Sequence, residues 1–189
     1  ATGGLVRLTQ SGLGCPTWPQ CQPGSLVPVE GAAPAIHQII EFGNRLLTFV
    51  DSAAAGAAVI AMYMACRRPE LRVYAWLNVA GIVLQAVIGG ISVHLDLRWW
   101  SVAVHFLPSM VLVFVAAMLY MRIAEPDNAA PTRRYPGSAQ TWTLIAAAAL
   151  CLVLVTGTMV TGSGPHSGDA DEPARLGLDP PWPPKVLGL

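Results

Sequence analysis

Four apolar stretches divide this chain, and each is long enough to cross a lipid bilayer. They run from about Ile36 to Ala65, Val73 to Val93, Trp99 to Met121 and Thr141 to Val160. A helix rises about 1.5 Å per residue, so roughly 20 residues cross a hydrocarbon core of about 30 Å. The expected fold class is therefore all-α: a polytopic membrane protein. Small residues in Ala53-Ala54-Ala55-Gly56-Ala57-Ala58, Gly89-Gly90 and Ala146-Ala147-Ala148-Ala149 suit close helix packing in lipid.

Composition closes the other classes. Charged residues make up 12% and hydrophobic residues 53%. A soluble domain carries about a quarter charged residues, and so few would not cover its surface. The formal net charge is zero, with no basic run, which argues against nucleic acid as a partner. The hydrophobicity excludes disorder, and four cysteines are too few for a disulfide-dense mini-protein. No charged start precedes a short apolar core, so no signal peptide is evident.

The connections set an orientation. Arg67, Arg68 and Arg72 follow the first span, and Arg122, Arg133 and Arg134 follow the third. These are more than half of the 11 Lys+Arg, and by the positive-inside rule their loops are cytoplasmic. Residues 1–34, 94–98 and 162–189 then face outward from a multi-pass protein of the cell membrane. Cys15 and Cys21 fall in the outer segment, where an oxidising compartment permits a disulfide. A structural bridge is favoured over free thiols, with a redox-active bridge as a lesser alternative. Their spacing is too wide for CxxC, and no His completes a zinc set. Cys66 and Cys151 read as packing residues.

The chain carries an internal echo. Thr2-Gly3-Gly4-Leu5-Val6 matches Thr156-Gly157-Thr158-Met159-Val160, and, once Arg7-Leu8 is skipped, Thr9-Gln10-Ser11-Gly12 matches Thr161-Gly162-Ser163-Gly164. Each copy ends an apolar span and opens an outer loop. Read as a repeat, the two have the same orientation, a parallel duplication of four-helix units. On that reading residues 1–34 are the end of a first helix and an outer loop, and 35–122 are helices two to four. Residues 123–140 form a cytoplasmic loop, 141–161 the first helix of a second unit, and 162–189 an outer loop. With no Met at Ala1 and a Pro-rich end at Leu189, the expectation is five-eighths of an eight-helix protein.

Ionisable groups inside spans are expensive and usually functional. His37, Glu41, Asn44 and Arg45 share one face at the outer end of the first span. That face is either a Glu41–Arg45 ion pair tying the helix end to its neighbours, or a site with Glu41 as an acid/base or electrostatic group. Asp51 lies deeper, as a polar contact or part of a proton path. In the third span, His105 precedes Pro108, which can bend the helix and open space. A lone helical His is usually a packing residue, but a polar face at similar depth tilts His105 toward a heme ligand. His94 is read as interfacial, with Trp99 and Trp100 in an aromatic belt. Gln85 is read as a hydrogen-bonding residue between helices. His166, in the last outer loop, is either solvated, closes over a cofactor edge or interacts with a propionate.

These motifs resemble a known family. Gly4-Leu5-Val6-Arg7-Leu8-Thr9-Gln10-Ser11-Gly12-Leu13-Gly14-Cys15-Pro16, with Trp18-Pro19 and Cys21, resembles the first outer loop of heme A synthases, membrane enzymes of the cytochrome c oxidase assembly family. Ile40-Glu41-Phe42-Gly43-Asn44-Arg45 resembles the Glu motif opening their second helix, and Ala103-Val104-His105-Phe106 the His motif of their fourth. Val160-Thr161-Gly162-Ser163-Gly164-Pro165-His166-Ser167-Gly168-Asp169 is similar to the loop after their fifth, particularly in actinobacterial-type members.

The resemblance implies eight helices in two similar halves and oxidation of the C8 methyl group of heme O to the formyl group of heme A. It implies heme O as substrate, heme b resident mainly in the second half, a disulfide between Cys15 and Cys21, and a link between Glu41 and catalysis. His105 would bind heme iron, and Arg45 would pair with Glu41 or a propionate. The implied partners are a heme O synthase, oxidase assembly factors and the lipid membrane, and a homo-oligomer is compatible with it. Many members carry a His three residues after the Glu, and here that position is Asn44. His37, two turns earlier, could substitute, His105 could act alone, or Asn44 could hydrogen-bond the substrate. Two rival functions are a b-type cytochrome that only transfers electrons and a non-enzymatic assembly or transport protein. A fragment of this extent is expected to be inactive alone.

Overall fold

The structure is a computed structural model that describes residues 2–127 and 136–163. It is helical, with α1 at Thr2–Leu8, α2 at Ala35–Met64, α3 at Pro69–His94, α4 at Trp99–Ile123 and α5 at Gly137–Ser163. The four long helices are each apolar enough to cross a membrane. Their ends fall within a few residues of the sequence expectation, and α3 starts earlier because Pro69 occupies the first helical position. Proline suits that site: its fixed φ is helical and its missing N–H would have no partner there.

The chain leaves α2 through an αL turn at Cys66 (φ 49°). There the Cys66 N–H bonds to Tyr63 O and the Arg67 N–H to Met62 O. The same pair of bonds ends α3, with Asp96 and Leu97 donating to Val93 O and Ser92 O. This double bond satisfies carbonyls that the helix end leaves open.

Packing is sequential. α3 lies against both α2 and α4, α5 lies against α4, and α1 against α2. A small core of Val59, Met62, Leu71, Ala75 and Leu119 fills the end of the bundle near the Arg-rich turn. Most other large apolar side chains, such as Phe49, Phe114 and Trp142, point outward. That inversion is what a lipid solvent permits, because tails are as apolar as the side chains. Gly81 lets Leu112 approach α3, and Gly162 lets the Trp99 ring lie on α5. Cys66 and Cys151 are exposed rather than packed inside, since Cys66 sits on the turn and Cys151 on an outward face of α5.

The arginines read above as a topology signal also close the α4 end. Arg67 pairs with Asp127 (3.0 Å) and donates to Ile123 O and Glu125 O. Arg68 pairs with Glu125 (2.8 Å) and donates to Arg122 O, and Arg122 pairs with Glu70 (2.8 Å). Cationic donors on the last carbonyls of a helix meet its negative dipole end.

Candidate functional site

The opposite end of the bundle is capped by the segment between α1 and α2. Cys15 and Cys21 are bridged there, so the sequence preference for a disulfide is met. The segment is tied down from below by one face of α2. Glu41, only 5% exposed, accepts the Cys15 N–H at 2.6 Å on one carboxylate oxygen. Its other oxygen pairs with Arg45, one turn along the helix. Arg45 in turn donates to Cys15 O (2.6 Å), Thr17 O (2.8 Å) and Gln20 O (3.0 Å). One carboxylate and one guanidinium thus hold the backbone on both sides of the disulfide. Such charge-assisted bonds are about twice as strong as neutral ones.

Gln38 extends the clamp and was not singled out by sequence. It is 2% exposed, donates to Val29 O and Ala33 O, and accepts from Val29 N and Gln22 Nε2. Gln22 also donates to Gly14 O. The signal that could have found Gln38 is its spacing: it lies i−3 from Glu41 and i−7 from Arg45, on the same face. His37 joins through its backbone. A Cβ on Gly14 would lie 2.5 Å from His37 C and O, so the loop rests directly on the first turn of α2. Trp18 reaches across to α3, where Gly90 leaves room for its ring. His94 Nε2 lies 3.2 Å from Trp18 O. A carbonyl only accepts, so that nitrogen carries the proton. His94 is therefore part of the loop's attachment rather than simply interfacial.

Asn44 is turned toward α1, where its Oδ1 accepts the Thr2 hydroxyl at 2.7 Å. Asp51 is exposed on α2. Arg7, between the two matched pieces of the first copy of the echo, donates to Thr161 Oγ1 of the second at 2.8 Å.

His105 stands apart from the clamp, half-buried on the α3 side of α4. Gly89 provides the space: a Cβ there would sit 3.2 Å from the imidazole Cε1. Gln85, one turn along α3, faces Nδ1. With its amide oriented to satisfy every neighbour, Gln85 Nε2 donates to His105 Nδ1 and His105 O (3.0 Å each), and Oε1 accepts from Ser109 N (3.1 Å). The Ser109 hydroxyl donates to His105 O at 2.8 Å. Gln85 is thus the interhelical residue expected, with the histidine as its partner. No hydrogen bond or ion pair joins His105 to Glu41, Arg45, Asn44 or His37. His166 lies outside the described residues.

The comparison that decides the family is a match of residues 1–166 to the family model described as "Cytochrome oxidase assembly protein". The chain belongs to this family. Among relatives, a heme A synthase of Geobacillus kaustophilus is 33% identical over 105 residues, covering 55% of this chain and 32% of its own length. One from Exiguobacterium sp. is 30% identical over 128 residues, covering 67% of this chain and 41% of its own. One from Halalkalibacterium halodurans is 29% identical over 193 residues, covering 98% and 61%. The chain spans about a third to two fifths of the length of the first of these relatives. No solved structure gives a significant match.

Proposed function

We propose that this family member acts in heme A synthesis, oxidising the C8 methyl group of heme O to a formyl group. The observation that carries the reading is the disulfide loop clamped by the Glu41–Arg45 motif, in a chain whose relatives are named heme A synthases. The rival reading as a simple electron-transferring cytochrome needs facing His pairs. Asn44, bonded to α1, supplies none from α2.

The residues present fit a heme. His105 Nε2 has no hydrogen-bond partner among the described residues, while Nδ1 is met by Gln85. For Nε2 to hold iron, the Gln85 amide would turn so that Oε1 accepts Nδ1–H, giving up its bonds to His105 O and Ser109 N. His105 would hold the iron from α4, and heme iron when bound supplies the redox chemistry that no side chain here offers.

The remaining roles belong to the chain itself. Both oxygens of Glu41 are engaged, so its part is electrostatic and positional rather than that of a free proton carrier. It holds the loop closed over the helix ends and keeps Arg45 aimed at the loop backbone. Both terminal nitrogens of Arg45 are committed to the loop and Glu41, which leaves its Nε–H as the donor for a substrate propionate. Trp18, seated on Gly90, helps exclude water from the same end. Asn44 orients α1 rather than ligating. In this account the clamped loop faces the outer compartment, where its disulfide is stable, and the Arg67–Arg68 turn faces the cytoplasm. Heme O would come from a heme O synthase, and the product would pass to oxidase assembly factors. Expressing the full-length protein in a host that makes heme O but lacks heme A tests the reading. Heme A in extracted pigments supports it, and unchanged heme O overturns it.

A further inference from the structure

At the end of the bundle where α2 gives way to α3, four arginines of the described residues gather and three of them pair with carboxylates. Arg67 pairs with Asp127, Arg68 with Glu125 and Arg122 with Glu70. Arg72 has no carboxylate partner among the described residues, and its Nε is buried without an acceptor. Its guanidinium lies 5.0 Å from the centroid of the Tyr63 ring, a contact that favours a cation but does not neutralise it.

A groove of about 470 Å³ opens beside Arg72. Tyr63, Arg72 and Trp76 line it, and the Trp76 indole N–H donates to the Tyr63 hydroxyl at 3.3 Å. Val73, Leu77 and Ala80 carry it on toward the middle of the membrane. Spaced i, i+4 and i+7, they form one apolar stripe along α3. Arg72 stands in the first turn of the helix, about 5 Å from its start, at headgroup depth. The groove thus runs from an uncompensated cation, through an amphipathic aromatic pair, to an aliphatic stripe. A phospholipid in one leaflet has that order of polarity.

We infer that this groove binds one anionic phospholipid, with its phosphate against Arg72 and an acyl chain along Val73, Leu77 and Ala80. The uncompensated charge favours this occupant over a second copy of the chain or another apolar helix, either of which would leave Arg72 unbalanced in a low dielectric. The site lies at the opposite end of the bundle from the clamped loop and does not depend on the proposed activity.

The test uses the full chain in detergent micelles with brominated phosphatidylglycerol or brominated phosphatidylcholine, reading tryptophan quenching. W76F assigns the part that comes from Trp76. That part should be quenched by the anionic lipid at about fivefold lower mole fraction than by the zwitterionic one. R72Q should erase the difference and R72K should keep it, while R67Q, which alters an arginine already paired, should leave it unchanged. Equal quenching by both lipids, selectivity that survives R72Q, or selectivity lost equally in R67Q would overturn the site. So would a Trp76 signal shielded from both lipids in a chain that cross-links to itself.

Discussion

The carboxylate of Glu41 accepts the backbone N–H of Cys15 at 2.6 Å, across 26 positions of sequence. That bond turns a helix side chain into a latch on the disulfide loop. Arg45 makes the latch two-sided, because it bonds Glu41 and the Cys15 carbonyl together. The two residues should therefore differ in what their loss does. R45A strands a buried carboxylate and should cost about 3 kcal/mol or more. E41Q keeps an acceptor for the Cys15 N–H and should cost about 1–2 kcal/mol. Thermal unfolding in detergent checks the order, and a larger loss for E41Q would contradict it.

Gly14 and Gly43 make a paired test of the loop's seating. A methyl at Gly14 meets the backbone of His37 and Gln38, which cannot step aside, so G14A should destabilise by about 1–3 kcal/mol. It should also make the Cys15–Cys21 bridge easier to reduce. Gly43 has nothing within 4 Å of its Cβ position, so G43A should be neutral or stabilise α2 by up to about 1 kcal/mol. Melting curves and thiol accessibility to reductant read both outcomes.

Gln85 should tune His105. Removing the amide with Q85L leaves Nδ1 without its partner and lets the ring turn against Gly89. Partners of this kind typically set ligand affinity by about 10–100-fold. In the full-length protein, Q85L should weaken heme retention at this site and shift its absorption spectrum, whereas Q85E should retain it. An unchanged spectrum in Q85L would remove Gln85 from the account.

The charged end of the bundle predicts an acid response. The Arg68 hydrogen bond holds the Glu125 carboxyl below its ordinary range. A carboxylate depressed in the folded state stabilises above its unfolded pKa, and that contribution fades as pH falls through the lower folded value. Melting temperature should therefore drop on acidification below about pH 4.3, and E125Q should show less of this drop. Identical pH profiles for the two proteins would contradict the pairing.

Much of this was legible in the sequence. The four spans were, because in lipid a long apolar run has one backbone solution. The Glu41–Arg45 pair was also legible, because i, i+4 spacing places both on one helix face. Its target was not: Cys15 offers a backbone N–H, a group every residue but proline possesses, so no side-chain pattern marks it. Gln38 was passed over because a lone glutamine near a helix start is ordinarily solvated, and only the fold of the loop buries it. Arg67 and Arg68 were read for sidedness alone. Their bonds to the end of α4 depend on where α4 stops, at Ile123, and on the turn that brings Asp127 back. His94 looked interfacial until the cap placed Trp18 beside it.

The most direct test of the central claim extracts hemes from membranes of a host that makes heme O, expressing the full-length protein or its E41A variant. The account predicts heme A from the wild type, and heme O without heme A from inserted E41A. Normal heme A in E41A would contradict the role given to the Glu41 latch.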